Sequence, residues 1–250
     1  MSDQLSLRLE PERPVLPNLP VLRPMLPRPL PEPFDSDDHL FEPWWGGRRA
    51  LVYVDPAETA GTGAVRIADE DGRDLTRRLP ELAGLAVRLD ARSAVLDGEL
   101  VVVDAAGRAD PAAIAARLDG RAGRSVAFLA FDLLHLDGRS LLGQALVRRR
   151  EALRRVLRPG DEVVAVPAIA TEGRALWDAA MAQGIAGILA RQRTSPYLPG
   201  VRSRLWRYIP AVPGGAGAAE AGTDTAPEPE APAAAPVLAL IERLPLDLGE

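Results

Sequence analysis

The sequence predicts a single domain mixing α and β structure, α+β or mixed α/β, and three observations predict it. Short runs rich in β-branched and large apolar residues alternate with stretches of helical periodicity, 250 residues give ample chain for a core, and both ends have compositions that resist packing. In chain order, residues 1–34 hold nine prolines, including the run PERPVLPNLPVLRPMLPRPLPEP (11–33), and proline lacks the N–H that helices and ladders use. An extended, polyproline-like arm is expected there, wrapping the domain or serving as a spacer, with a partner-docking ligand as the other reading. Strands are expected at 50–54 (ALVYV), 93–103 (SAVLDGELVVV), 126–134 (VAFLAFDLL), 162–168 (EVVAVPA), near 185–190 and near 204–209. Helical periodicity marks 76–89, 110–118, 144–157 and 173–182, with Arg148, Arg149 and Arg150 opening a solvated face of the third. Residues 211–236, with ten alanines and five prolines, cannot repay the entropy of ordering and are expected to be a disordered linker. The segment 237–250 regains apolar character over a turn or two of helix, enough to dock but not to fold alone. The domain proper is therefore 35–210.

All 30 basic residues are arginine; the chain contains neither lysine nor cysteine. That excludes every mechanism needing an ε-amine, including Schiff bases, a phosphate-cradling P-loop lysine and a lysyl-nucleotide intermediate, because a guanidinium stays protonated and is a poor nucleophile. Thiol catalysis, disulfides and thiolate metal sites are excluded with them. Net charge is −5, but the acidity sits beyond residue 210 and the body is near neutral, unlike a dedicated duplex-binding domain. No basic stretch leads into an apolar core at the N-terminus and no run of 18 apolar residues occurs, so neither a signal peptide nor a membrane span is expected, and the expected location is cytoplasmic.

Taken singly, the polar residues within the apolar runs say little. FEPWWGGRRALVYVD (41–55) reads as a turn feeding a strand, VLDGELVVVD (95–104) as a strand with Glu99 inside it, and VAFLAFDLLHLDGRSL (126–141) as a strand ending in a turn. Together, in order, they resemble the adenylation domain of ATP-dependent DNA ligases, in particular the bacterial end-joining type. That family reads F-E-x-K-x-D-G-x-R-A, L-D-G-E, F-D-L-L-x-L-D-G, E-G-x-x-x-K, then S-x-Y-x-P-G-x-R-S and W-x-K-x-K. Here the blocks stand as FEPWWGGRRA (41–50), LDGE (96–99), FDLLHLDG (131–138), GIAGILAR (184–191), and SPYLPGVRS with WRYIP (195–210). The resemblance covers residues 34–210 and implies an α+β nucleotidyltransferase domain of mostly antiparallel sheets flanked by helices, with no room after Pro210 for the OB-fold domain that follows in such ligases.

The implied chemistry is a two-step nucleotidyl transfer, in which a lysine attacks the α-phosphate of ATP and AMP then passes to a DNA 5′-phosphate, with ATP and Mg²⁺ as the family's cofactors. The nucleophile position holds Trp44, and the Asp two residues on is Gly46. The fourth block's Glu and Lys fall at Ala186 and Ala190, and the last block's two lysines at Tyr208 and Pro210. A Ser-Arg pair before the G-R-D-L-T run is replaced by Asp69 and Glu70. Drift toward an arginine-only composition would put Arg at the Lys positions, not Trp, Ala, Tyr and Pro. Glu42, Arg49, Glu99 and Phe131 remain as a nucleotide-binding remnant, Glu99 and Phe131 matching the ribose and adenine contacts; the alternative for those two is an edge acid and a core aromatic. Charge-assisted hydrogen bonds contribute about 1.5–3 kcal/mol each, so four lost lysines forfeit roughly 6–12 kcal/mol if independent, against about 8 kcal/mol for a micromolar site. No metal ligand set and no cofactor are therefore expected. Arg191, Arg193, Arg202, Arg204 and Arg207, with no acid among them, form either a nucleic-acid contact or a solvated loop face. The expected function is a catalytically inactive pseudo-ligase with a binding or scaffolding role beside DNA or DNA-repair and recombination proteins. The alternative is a residual DNA ligase (ATP) completed by another chain.

Overall fold

The structure, a computed structural model, describes residues 19–55, 64–104 and 108–211. The first half of the proline-rich arm, the linker after Ala211 and the C-terminal docking segment lie outside the described residues.

Two sheets stack face to face. Their strands, in chain order, are β1 (Leu26–Pro29), β2 (Ser36–Trp44), β3 (Arg48–Asp55), β4 (Ala64–Asp69), β5 (Ala94–Val102), β6 (Val126–Leu136), β7 (Arg139–Ser140), β8 (Val163–Ala165), β9 (Ile169–Thr171), β10 (Gly187–Gln192) and β11 (Arg202–Pro210). Three α-helices join them: α1 (Pro111–Leu118), α2 (Leu146–Val156) and α3 (Gly173–Ala182). One sheet runs β1-β11-β10-β2-β9 and the other β4-β3-β5-β6-β7, with β8 alongside β6. All pairings are antiparallel except β1 with β11 and β6 with β8. The fold is α+β.

The central strands β3, β5 and β6 are the near-continuous apolar runs of the sequence, and they are buried on both faces. One face of their sheet packs Val52, Leu96, Phe128 and Leu133 against Leu82, Leu85 and Leu153. The other meets the first sheet through Leu51, Tyr53, Val95 and Trp206. On the far side of the first sheet, Phe41, Ile188, Ala190 and Ile209 pack on Leu176 and Ala180 of α3.

Three expectations change. Residues 41–44, read as part of a turn, are the end of β2, and the connection to β3 is only 45–47. The stretch 76–89 is not an α-helix but two 3₁₀ segments, Thr76–Arg78 and Pro80–Arg88. Leu79, Leu82 and Leu85 recur every third residue, the repeat of a 3₁₀ turn, and the Leu82 N–H reaches back three residues to the Leu79 carbonyl. The arm contains a strand, β1, despite its prolines. Pro27 and Pro29 alternate with Leu26 and Leu30, whose N–H groups bond to Val201 and Tyr208. The missing donors therefore fall on the solvent side of an edge strand.

Candidate functional site

Strand alternation decides which side chains enter the space between the sheets. Phe41, Ile188, Ala190 and Ile209 face α3, so their neighbours Glu42 and Trp44 on β2, Leu189 and Arg191 on β10, and Trp206 and Tyr208 on β11 point the other way. Opposite them stand Asp97 and Glu99 of β5, Phe131 of β6 and Arg49 of β3.

Register gathers the positions where the resemblance expected lysines and acids. Trp44 pairs with Gly187, which pairs in turn with Pro210. Trp44 meets Tyr208 edge-on with ring centroids 4.4 Å apart. Gly46, at φ +76°, lies against Ala186, where a Cβ would stand 3.2 Å from the alanine methyl. At Gly47 a side chain would strike the Leu100 carbonyl, and this close approach lets the Gly47 N–H donate to the Glu99 carboxylate. Trp44, Gly46, Ala186, Tyr208 and Pro210 thus sit together at one end of the cleft.

Ala190 does not. It is fully buried in the cluster against α3, and the cation of the fourth block stands one residue on, at Arg191, because an odd step along β10 reverses the face. Assigning the lysine to Ala190 is corrected accordingly; this one position is the plain basic exchange that the chain's composition favours.

Arg191 is fully buried, so its place among exposed nucleic-acid contacts is also corrected. Its Cζ lies 3.8 Å from the Phe131 ring centroid and 4.7 Å from that of Trp206, while Arg49 approaches the same Phe131 ring at 4.5 Å. Nη2 is 2.9 Å from Glu42 Oε2, but off the direction a hydrogen bond needs, and none of the three Arg191 nitrogens has a hydrogen-bond partner. Burial pulls its pKa down to about 10, with Glu42 opposing and Arg49 and Arg150 reinforcing the shift. The other four arginines scatter. Arg202 donates to the Pro27 carbonyl and Arg193 to that of Asp37; Arg204 is exposed on β11, and Arg207 acts on His39, on the α3 side of the sheet. They form no single surface with Arg191.

Arg49 fits its place fully. It grips Asp97 through Nε and Nη2, both at 2.6 Å, and Tyr197 Oη donates to the same carboxylate at 2.7 Å. Burial alone would weaken the Arg49 charge, yet Asp97 holds its pKa above the ordinary value. Glu99 is the reverse case. Burial pushes its carboxyl up to about 7, against the pull of the Gly47 and Trp45 N–H groups and of Arg49 and Arg191.

Two residues read from sequence as solvated face are instead buried. Arg149 and Arg150 leave α2 inward: Arg149 holds Asp132 through two 2.8 Å bonds, and Arg150 shares Glu42 with Arg191 while donating to the Phe131 and Val166 carbonyls at 2.8 and 2.6 Å. A signal for them was present: Glu42, Asp97 and Asp132 lie inside apolar strands, and buried acids require partners.

Two outcomes follow. Glu99 binds a proton in the folded state between pH 4.5 and about 7 that the unfolded chain has already released, so stability falls as pH rises through that window. The loss is about 3 kcal/mol at most, and Glu99→Gln is expected to flatten it in urea unfolding at pH 5 and pH 8; an unchanged slope would contradict the burial. Arg191→Met leaves Glu42 with one cation instead of two and removes three unpartnered donors. It is expected to be neutral or to raise stability by about 1–3 kcal/mol, whereas Arg150→Met strips Glu42 of its hydrogen-bonded partner and lowers it.

Comparison with known proteins agrees with this frame. The family described as ATP dependent DNA ligase domain matches residues 24–208. The multifunctional non-homologous end joining protein LigD of Mycobacterium bovis is 37% identical over 188 residues, which is 73% of this chain and 24% of that protein. A probable DNA ligase of Rhodococcus opacus is 34% identical over 212 residues, 82% of this chain and 40% of that one. Among solved structures, a mycobacterial DNA ligase D complexed with ATP and MES superposes with a TM-score of 0.65 at 31% identity, covering 76% of this chain and 60% of that one. The ligase domain of M. tuberculosis LigD gives 0.64 at 32% identity, with coverages of 75% and 58%. The chain thus spans between a quarter and two fifths of these two curated relatives. Among the described residues no helix is long and apolar enough to cross a membrane.

Proposed function

The chain belongs to the ATP-dependent DNA ligase domain family, and from that premise we propose that it is a non-catalytic member, a ligase-like domain with a binding or scaffolding role in DNA repair. The observation that carries this reading is Trp44 at the nucleophile position in a chain with no lysine at all. An indole forms no phosphoramide with AMP, and no other residue supplies an ε-amine. His39 is no substitute, since it lies on the face of β2 opposite Trp44 with Nδ1 bonded to Ser36 Oγ at 2.9 Å.

The residues present do not fit ATP held for transfer. The Phe131 ring that an adenine needs already carries two guanidiniums, burial of Glu99 raises its pKa to about 7 so that it is only partly ionised near neutral pH, and Trp44 with Tyr208 fills the end where phosphates would require cations. Arg191 retains one cation, but its charge is spent on Glu42. Purified protein incubated with α-labelled ATP and Mg²⁺ or Mn²⁺ is expected to carry no covalent label that survives SDS denaturation and alkali, and millimolar ATP is expected to leave Tm unchanged. A covalent adduct would sink the proposal. The second reading, a residual ligase completed by another chain, draws on the intact Arg49–Asp97–Tyr197 network and on the Gly47–Glu99 contact; it requires this chain to bind ATP, so a Tm that rises with millimolar ATP would favour it and an unchanged Tm speaks against it.

A further inference from the structure

We propose that a recess beside α2, at the end of β2 remote from Trp44, is a binding site for a phosphate-bearing anion. The recess measures about 320 Å³, at the lower end of the range for small-molecule sites. Arg148, Arg150, Arg154 and Arg193 line it, with Glu151 as its one acid and Leu40 contributing an apolar wall. Leu40 is four residues from Trp44 on β2, so the recess lies roughly 13 Å along that strand from the aromatic end of the cleft, with Glu42 between the two.

Its arginines differ from a solvated charge run in what holds them. Arg150, almost wholly buried, is pinned by Glu42 and by the Phe131 and Val166 carbonyls, and its Nε is buried with no hydrogen-bond partner. Arg193 is tethered by Nη1 to the Asp37 carbonyl at 3.2 Å, and its other side-chain donors have no hydrogen-bond partner among the described residues. Arg148 and Glu151 neutralise one another at 3.1 Å. Arg154, one turn beyond Arg150 on α2, makes no ion pair among the described residues. Two guanidiniums from two elements, Arg154 and Arg193, therefore line a concave, partly apolar space without a carboxylate partner of their own, beside Arg150, whose charge Glu42 meets. Planar forks approaching from several directions suit a tetrahedral oxyanion better than a planar carboxylate, which one fork already satisfies. The apolar wall lowers the local dielectric and strengthens such contacts.

The phosphate has two possible sources, a nucleic-acid chain or a free oligophosphate, and the test separates them. The full chain is titrated calorimetrically with sodium tripolyphosphate at low ionic strength, beside the double variant Arg154→Gln/Arg193→Gln and the control Arg155→Gln, whose side chain lies outside the recess. Binding is expected for the wild type and the control, and to weaken about tenfold or more in the double variant, since each charge-assisted contact is worth about that factor; the Tm of all three free proteins should agree. Competition by a 5′-phosphorylated single-stranded oligonucleotide, but not by its 5′-hydroxyl counterpart, assigns the phosphate to a nucleic-acid end. Competition by neither assigns it to a free anion, and competition by both to backbone phosphodiesters. No tripolyphosphate binding, equal affinity in the double variant, or a poly-glutamate peptide binding as tightly would each overturn the proposal. None of these results depends on whether the cleft is catalytic.

Discussion

Arg149→Met and Asp132→Asn are each expected to cost about 3–5 kcal/mol, the penalty for leaving one member of a buried ion pair without its partner. Both side chains are fully buried, and the two parallel 2.8 Å bonds between them are the most enclosed charge contact among the described residues. Asp132 Oδ1 also accepts from the Leu133 N–H, and Arg149 also bonds the Ser195 carbonyl, so the pair ties β6, α2 and the loop before β11 into one unit. Domains of this size are stable by only about 5–15 kcal/mol, so either single variant should show a large fall in its urea midpoint. The double variant Arg149→Met/Asp132→Asn removes both charges and should recover part of the loss. A coupling energy near zero in that cycle would mean the pair is not as drawn.

Trp44→Lys is expected to remain without covalent AMP from ATP, a null result where the family's chemistry would lead one to look for rescue. Restoring the amine supplies a nucleophile but leaves Arg191 on the Phe131 ring, Ala186 without a carboxylate, and Tyr208 and Pro210 where cations stood. The substitution also gives up the edge-on contact with Tyr208, worth about 0.5–1.5 kcal/mol, so the amine gains no fixed position. Label should appear only when Trp44→Lys is combined with Ala186→Glu, Arg191→Lys and Tyr208→Lys. Intact-mass spectrometry after incubation with ATP and Mg²⁺ reads the outcome directly, and AMP on the single variant would show the cleft open to nucleotide after all.

The sequence made the central strands legible because β3, β5 and β6 are apolar runs that admit little else, and α3 appears where the periodicity places it. The helix expected at 76–89 was misread because a three-residue apolar repeat fits the α-helical and the 3₁₀ period almost equally over so short a span. Strands β1, β2, β4 and β9 are short or proline-bearing, held by long-range pairing rather than by their own residues, so no local signal announces them. The same contrast runs through the site. Ordered motif blocks located Trp44, Gly46, Ala186, Tyr208 and Pro210, and register brings them together. The arginine network was hidden because its partners are remote in sequence: Glu42 lies 108 residues from Arg150, and Asp97 lies 100 from Tyr197. The shift from Ala190 to Arg191 is the sharpest case, since one step on a strand separates a methyl against a helix from a guanidinium in the cleft.

Strand β1 has a consequence outside the molecule. A sheet ends where its last strand offers neighbours a row of free donors and acceptors, and another copy of the chain can add itself there. With Pro27 and Pro29 on that rim, every second donor an incoming strand would seek is missing, so the arm does more than cover β11. It makes the margin of the sheet a poor template for fibrillar growth.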